Sequence, residues 1–135
     1  MSDGLKKLMM VDDDAVDARF VSRAFFEAGS PLDITHVSDA ETASARLDSE
    51  KFDYILLDIN MPGTNGMELL RRLRTRKRTA ITPVIMLSSS ANATDISEAY
   101  ENGANAYAVK PSTLGGYRAF AEGFTRFWLD VAVSP

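Results

Sequence analysis

The chain has 135 residues, a length typical of a single domain, and its hydrophobic (45%) and charged (25%) fractions are those of an ordinary globular protein. It contains no cysteine and one histidine, His36, which excludes disulfides, thiolate zinc sites and cysteine nucleophiles. Because the net charge is −4 and no apolar run approaches the ~20 residues of a membrane span or the core of a signal peptide, we expect a cytoplasmic protein that binds neither nucleic acid nor membranes.

Apolar runs typical of β-strands alternate five times with segments of helical periodicity. The strand-like runs are LMMV (8–11), LDITHV (32–37), YILL (54–57), PVIML (83–87) and AYAV (106–109). A helical segment follows each run. In the first, Val16, Phe20, Ala24 and Ala28 recur every four residues, and the second starts at Asp39. The third is MELLRRLR after Gly66, the fourth spans Asp95 to Asn102, and the last starts at about Thr113. The predicted caps are Ser38 or Asp39 and Thr94 at N-termini, and Gly29 and Gly103 at C-termini.

Five β–α units with short connections predict an α/β fold in one domain, residues 1–135. The expected architecture is a five-stranded parallel sheet, doubly wound, with helices on both faces. The runs LMMV, YILL and VIML are apolar throughout, as central parallel strands are. In such sheets the functional groups lie beyond the carboxyl ends of the strands.

Acidic, hydroxyl and cationic residues follow these strands. In chain order they are Asp12, Asp13 and Asp14 after the first strand, Asp58 and Asn60 after the third, Ser88 after the fourth, and Lys110 and Pro111 after the fifth. Carboxylates brought together repel one another unless a cation intervenes. A hard cation, magnesium or calcium, is expected, and Mg²⁺ suits a site of one or two carboxylates, a carbonyl and waters.

Among these residues, Asp58 is the candidate nucleophile. It directly follows a buried strand, where a lone carboxylate is costly, so a paired or metal-bound role is expected. With a cation present it can attack a phosphoryl group and form an acyl phosphate. Mg²⁺ and Lys110 would neutralise the phosphoryl oxygens while the Ser88 hydroxyl donates a hydrogen bond.

The chain resembles the receiver domain of two-component response regulators. The matching segments are MMVDDDAVDARF, DYILLDINMPGTNGMELL, PVIMLSSSA and GANAYAVKPS, in this order, so the resemblance extends from Lys7 to the last helix. It implies the flavodoxin-like receiver fold with no effector domain. It also implies a phosphoacceptor that is no enzyme beyond its own phosphorylation and dephosphorylation, served by a histidine kinase in a phosphorelay and acting by protein contact.

The resemblance assigns the acceptor and the metal ligands. Asp58 is implied to be the phosphoacceptor and, with Asp13, a direct Mg²⁺ ligand. Asp12 is implied to act mainly through water. Asn60 is implied to offer its backbone carbonyl to the ion.

The resemblance also assigns the groups that respond to the phosphoryl group. Ser88 matches the hydroxyl position and Lys110 the phosphate-contacting lysine, with a cis bond expected between Lys110 and Pro111. Tyr107 matches the aromatic switch position. Phosphorylation is therefore expected to draw Ser88 toward the phosphoryl group and to turn Tyr107 inward.

The end of the chain, FTRFWLDVAVSP, is similar to a narrower group, the single-domain regulators partnered with phytochrome-type histidine kinases, in which the last helix supports homodimers. On a helical wheel one apolar stripe contains Tyr117, Phe120, Ala121, Phe124, Trp128 and Val131, and Phe127 and Leu129 flank it. Such a face is wider than packing onto a sheet requires. We expect Tyr117, Phe120 and Phe124 in the core and Phe127, Trp128 and Leu129 at a dimer interface.

The basic run after Leu70 and the single histidine are interpreted as structural features, not as binding sites. The run RRLRTRKR (71–78) carries six cations in eight residues, but it lacks the interleaved aromatic residues of a single-strand binder. A solvated helix end with cations near its C-terminus is the favoured interpretation. His36 has no partner motif and is interpreted as structural.

Three other functions are compatible with parts of this pattern. A dinucleotide binder needs a glycine-rich turn where this chain has Asp12 to Asp14. A phosphatase with an aspartate nucleophile needs a second aspartate two residues on, and Asn60 stands there. A degenerate receiver acting as a scaffold would lack a site residue, and none is missing. The last two remain the alternatives.

Overall fold

The computed structural model describes residues 4–135, in which strands and helices alternate as predicted. The strands are β1 (Lys6–Val11), β2 (Leu32–Val37), β3 (Tyr54–Leu57), β4 (Val84–Ser88) and β5 (Ala106–Val109). The helices are α1 (Ala15–Glu27), α2 (Ala40–Ser49), α3 (Gly66–Thr75), α4 (Ala93–Glu101) and α5 (Leu114–Phe124), and a π-helix (Thr125–Val131) continues α5. Within the described residues, no helix is both long enough and apolar enough to cross a membrane.

All neighbouring strands are parallel, and their order across the sheet is β2-β1-β3-β4-β5. The predicted five-stranded, doubly wound sheet is therefore confirmed. Its three central strands, β1, β3 and β4, contain the apolar runs LMMV, YILL and VIML, and these runs are buried because helices cover both faces of the sheet there.

Helix boundaries follow local capping chemistry. The Asp39 carboxylate accepts the N–H of Thr42 and begins α2, and Gly29 and Gly103 have positive φ just beyond α1 and α4, as predicted. The predicted N-cap at Thr94 is wrong. The side chain of Asn92 accepts the Thr94 N–H instead, and because asparagine caps at least as well as threonine, α4 begins earlier, at Ala93.

The two faces of the sheet carry separate apolar cores. Ile55 and Leu57 of β3 face the core covered by α2, α3 and α4, whereas Tyr54 and Leu56 face the core covered by α1 and α5. The face that α1 buries consists of Ala18, Val21, Ala24 and Phe25. The recurrence Val16, Phe20, Ala24 and Ala28 does not mark this face, because residues four apart drift by about 40° around an α-helix. Val16 is 55% exposed.

The C-terminal segment departs from the helical wheel. Tyr117 and Phe124 are buried as expected, whereas Phe120 is only partly buried against the same core. The backbone then continues as a π-helix, whose wider turn shifts the angular positions of the residues after Phe124. Val131 is consequently exposed, and the expected single stripe through it is wrong. Trp128 and Leu129 pack partly against the α1–α5 core of their own chain.

The basic run at the end of α3 is engaged within the domain. Arg71 pairs with Glu68 and Glu98, and Arg72 pairs with Glu41 and Glu68. Arg74 points inward, so the interpretation as a solvated helix end is wrong at this position. Its guanidinium donates to the backbone carbonyls of the turn after α3 and of the α4–β5 turn, namely those of Thr79, Ala80, Thr82 and Gly103, and to the Asn105 side chain.

Candidate functional site

The predicted site residues meet at the carboxyl edge of the sheet. Asp12 follows β1, Asp58 follows β3, Ser88 ends β4 and Lys110 follows β5. Backbone hydrogen bonds extend the strand pairing to this edge: the Asp58 N–H donates to the Val11 carbonyl at 3.0 Å, and the Lys110 N–H donates to the Ser88 carbonyl at 2.8 Å. The backbone at Asp58 and Lys110 is therefore tied directly to the sheet.

Asp12, Asp13 and Asp58 form an acidic triad. One carboxylate oxygen from each lies within 4.8 Å of the others. Asp12 is 4% exposed and Asp58 5% exposed, whereas Asp13 faces solvent. Three hard oxygen donors around a partly open position are the chemistry that Mg²⁺ and Mn²⁺ prefer, so these residues fit a divalent cation. The Asn60 N–H lies 3.4 Å from an Asp58 carboxylate oxygen, and the role expected of its carbonyl stays a prediction.

Lys110 neutralises much of this charge. Its Nζ lies 2.8 Å from an Asp12 oxygen, 2.8 Å from an Asp17 oxygen and 3.2 Å from an Asp58 oxygen. Burial alone would lower the pKa of the Lys110 amine, but hydrogen bonds to Asp12 and Asp17 and the charge of Asp58 raise it above its ordinary value. Burial also raises the pKa of the Asp12 carboxyl, although Lys110 opposes this effect.

The Lys110–Pro111 bond is trans, since residues 4–135 contain no cis peptide, and the expected cis bond is wrong. The trans form is intrinsically favoured by about 0.5–1 kcal/mol. It also suffices here to bring the amine of Lys110 to both Asp12 and Asp58.

Asp17 is a member of the site that the sequence analysis missed. Asp14, the third acid after β1, caps α1 by accepting the N–H groups of Val16 and Asp17, and the hydrogen bond from Asp17 lowers the pKa of the Asp14 carboxyl. This cap starts the helix so that the Asp17 carboxylate reaches Lys110. The sequence did contain a signal for this role, because Asp17 lies three residues after Asp14, an N-cap residue at the edge of the predicted site.

Ser88 and Tyr107 are linked through Ser90. The Ser88 hydroxyl oxygen, which is fully buried, accepts the Ser90 N–H at 3.3 Å, and the Ser90 carbonyl accepts the Tyr107 hydroxyl at 2.8 Å. The Ser90 hydroxyl donates to Asp95 at 2.6 Å, which fixes the turn to α4. Tyr107 is already half-buried against the core, so the expected inward turn on phosphorylation stays a prediction.

Gly66 is a second residue that the sequence analysis did not place in the site. It begins α3, and its N–H donates to the Ile59 carbonyl at 2.9 Å. A Cβ at this position would overlap the Asp58 carbonyl oxygen and lie 2.8 Å from the Asp58 carbonyl carbon. Only glycine allows the helix to pass this close to the backbone of Asp58.

Replacing Lys110 with methionine should destabilise the domain by about 3 kcal/mol at neutral pH, because three carboxylates would lose their shared cation. The deficit should shrink when Mg²⁺ is added, and also as the pH falls and the carboxylates are protonated. Urea unfolding with and without Mg²⁺ measures both effects. The exposed Lys77→Met is the control, and a loss that Mg²⁺ does not reduce would contradict the role of Lys110 as counter-charge.

Comparisons with known proteins agree with this geometry. A model of the response regulator receiver domain matches residues 8–119. The chemotaxis protein CheY of Pseudomonas aeruginosa is 36% identical over 107 residues, which are 79% of this chain and 86% of that protein.

Two solved structures match nearly the whole chain. The phosphorylated cyanobacterial phytochrome response regulator RcpA has a TM-score of 0.91 at 30% identity, over 98% of this chain and 99% of that one. The Mn²⁺-bound form of response regulator Rcp1 has a TM-score of 0.87 at 27% identity, over 96% of this chain and 99% of that one. The likeness therefore extends beyond residue 119 into the C-terminal segment.

Proposed function

The chain belongs to the response regulator receiver domain family, and on that basis we propose that it accepts a phosphoryl group on Asp58 from a histidine kinase in a Mg²⁺-dependent reaction. The observation that carries the proposal is the convergence of Asp12, Asp13, Asp58 and Lys110 at one edge of the sheet. The protein acts on no separate substrate and catalyses only its own phosphorylation and dephosphorylation.

The reaction is a displacement at phosphorus. An Asp58 oxygen attacks the phosphorus atom, a new O–P bond forms, and the bond to the donor breaks with its electron pair leaving on the donor. A bound Mg²⁺ would supply positive charge to the phosphoryl oxygens. Lys110 supplies a second positive charge from its present position, and the Ser88 hydroxyl, whose oxygen accepts the Ser90 N–H, keeps its own hydrogen free to donate.

The output is a shift in contacts made by the surface of α4, β5 and α5. Movement of Ser88 toward the phosphoryl group would pull on Ser90, whose carbonyl holds the Tyr107 hydroxyl. Because Tyr107 is already packed inward, phosphorylation is expected to stabilise this position against outward ones. Partners that contact β5 would then bind the two forms with different affinity.

We further propose a cytoplasmic role with a phytochrome-type kinase and a homodimer formed through the C-terminal segment. The support is the FTRFWLDVAVSP segment and the likeness to RcpA, a cyanobacterial phytochrome response regulator. Phe127 is the strongest candidate for the dimer contact, since it is 53% exposed whereas Trp128 and Leu129 are partly covered by their own chain.

Intact mass after incubation with acetyl phosphate tests the phosphorylation. We expect one phosphoryl group on the wild type in the presence of Mg²⁺, and none after chelation or in Asp58→Asn, which keeps the shape of the side chain but removes the nucleophile.

Size-exclusion chromatography of the phosphorylated and unphosphorylated protein then measures dimerisation, with Phe127→Ala as the interface variant. An unmodified wild type that is folded and binds Mg²⁺, with acetyl phosphate and with a histidine kinase as donor, would favour the scaffold alternative.

A further inference from the structure

Lys110 contacts three carboxylates, and they differ in what else they can bind. Asp12 and Asp58 belong to the acidic triad that fits a divalent cation, whereas Asp17 lies outside that triad. Asp17 also has none of the roles that receiver motifs assign. We propose that Asp17 is a positioning residue that keeps the Lys110 ammonium beside Asp58 while a divalent cation is bound, an inference that rests on the proposed function.

Lys110 and a divalent cation would compete for the same buried carboxylates. Lys110 takes the Oδ2 atoms of both Asp12 and Asp58, two buried carboxylates that a cation would also need. Two positive charges in one buried cluster repel each other, so the ammonium must loosen its hold on these oxygens when the ion binds. Asp17 is the partner of Lys110 that can remain in place without giving up a metal ligand.

The Asp17 carboxylate is more exposed than the other two carboxylates that contact Lys110. Its side chain is 27% exposed, compared with 5% for Asp12 and 6% for Asp58, so it keeps part of its hydration when charged. It also lies in the first turn of α1, where the helix dipole favours an anion. Asp17 thus offers Lys110 a fixed negative charge at 2.8 Å that does not depend on metal occupancy.

Loss of Asp17 should therefore weaken metal binding through Lys110. Without this carboxylate, Lys110 would have only Asp12 and Asp58 as anionic partners among its present contacts and would compete more strongly with the cation for them. Asp14→Asn is a matched control, because it removes one charge from the same turn of α1, keeps a good N-cap residue and does not contact Lys110.

Titration with Mg²⁺ by calorimetry, and with Mn²⁺ by electron paramagnetic resonance, tests the proposal. We expect the dissociation constant of Asp17→Asn to rise about tenfold, and that of Asp14→Asn less than about threefold. Asp17→Glu, which can still reach an ammonium, should lie close to the wild type. Equal effects of Asp17→Asn and Asp14→Asn would overturn the proposal.

A double-mutant cycle separates positioning from general electrostatics. In a Lys110→Met background the excess effect of Asp17→Asn over Asp14→Asn should disappear, because the group that Asp17 positions is gone. An excess that persists would mean that Asp17 acts on the ion directly, and would overturn the proposal. Circular dichroism confirms that each variant is folded, and Asp17→Ser replaces Asp17→Asn should the latter not fold.

The titrations do not require phosphorylation, so the two proposals can fail separately. A wild type that binds Mg²⁺ but never accepts a phosphoryl group contradicts the proposed function. A wild type that is phosphorylated, with Asp17→Asn equal to its control in Mg²⁺ affinity, contradicts only the role given to Asp17.

Discussion

Gly66→Ala is expected to lower the free energy of unfolding by at least about 3 kcal/mol and to prevent phosphorylation of Asp58 in any fraction that still folds. The added Cβ would overlap the Asp58 carbonyl oxygen and lie 3.0 Å from the Cα of Ile59. Both neighbours are backbone atoms in or beside the central strand β3, so neither can rotate away. Either α3 shifts away from β3 or the Asp58 backbone moves, and we expect both to disturb the position of the Asp58 carboxylate.

Gly123→Ala is the matched control, because Gly123 also lies in a helix, α5, but no atom of the described part of the chain approaches the position of its Cβ within 4 Å. It should stabilise the domain by about 0.5–1 kcal/mol, since alanine is the better helix former. Urea unfolding measures the stability of both variants, and intact mass after acetyl phosphate treatment measures how much phosphoryl group each takes up. A Gly66→Ala protein as stable and as readily phosphorylated as the wild type would contradict the close approach of α3 to Asp58.

Arg74→Met should cost about 3–4 kcal/mol of stability, although Arg74 forms no ion pair with any acidic residue between positions 4 and 135. The Arg74 guanidinium donates to the carbonyls of Thr82 and Gly103, each at 2.8 Å, and joins the end of α3 to the amino end of β4 and to the α4–β5 turn. Methionine would leave these partly buried carbonyls without donors, and hydrogen bonds from charged groups are the stronger kind. Burial lowers the pKa of the guanidinium, but arginine remains charged.

Two further variants test this explanation. Arg72→Met, on the same helix, loses only surface pairs with Glu41 and Glu68 and should cost less than about 1 kcal/mol. Arg74→Lys should recover less than half of the loss, because an ammonium has three donors and cannot reproduce the planar fork. Denaturant midpoints with unchanged slopes would establish that the native states are alike. Full recovery by lysine would show that charge, not the fork, is what the site requires.

The fold could be predicted from the sequence because its signals are local. Three of the five strands have the predicted bounds, and the edge strands β2 and β5 carry the less apolar sequences. The acidic triad and Lys110 could also be predicted, since parallel strands place their carboxyl ends at one edge. To predict that Asp58, Asp12 and Lys110 lie together, it was therefore enough to know where the strands end, without knowing how the helices pack.

What could not be predicted depends on distances between elements remote in sequence. The contact of Asp17 with Lys110 needs the angle at which α1 leaves β1, and the fit of Gly66 needs the approach of α3 to Asp58. The inward orientation of Arg74 depends on carbonyls up to 29 residues away. The change to a π-helix after Phe124 has no signal in hydrophobic periodicity, which assumes one constant helical pitch.

The bond from the Tyr54 hydroxyl to the Trp128 carbonyl, at 2.9 Å, gives the protein an intrinsic optical probe. Trp128 is the single tryptophan. Its ring lies 6.3 Å from that of Tyr54, which begins β3, and 5.0 Å from that of the exposed Phe127. Excitation at the red edge of the absorption band therefore selects one chromophore that lies between β3 and the exposed end of the chain. The wavelength of its emission maximum should therefore shift when the environment of β3 or of the C-terminal segment changes, and no attached dye is needed.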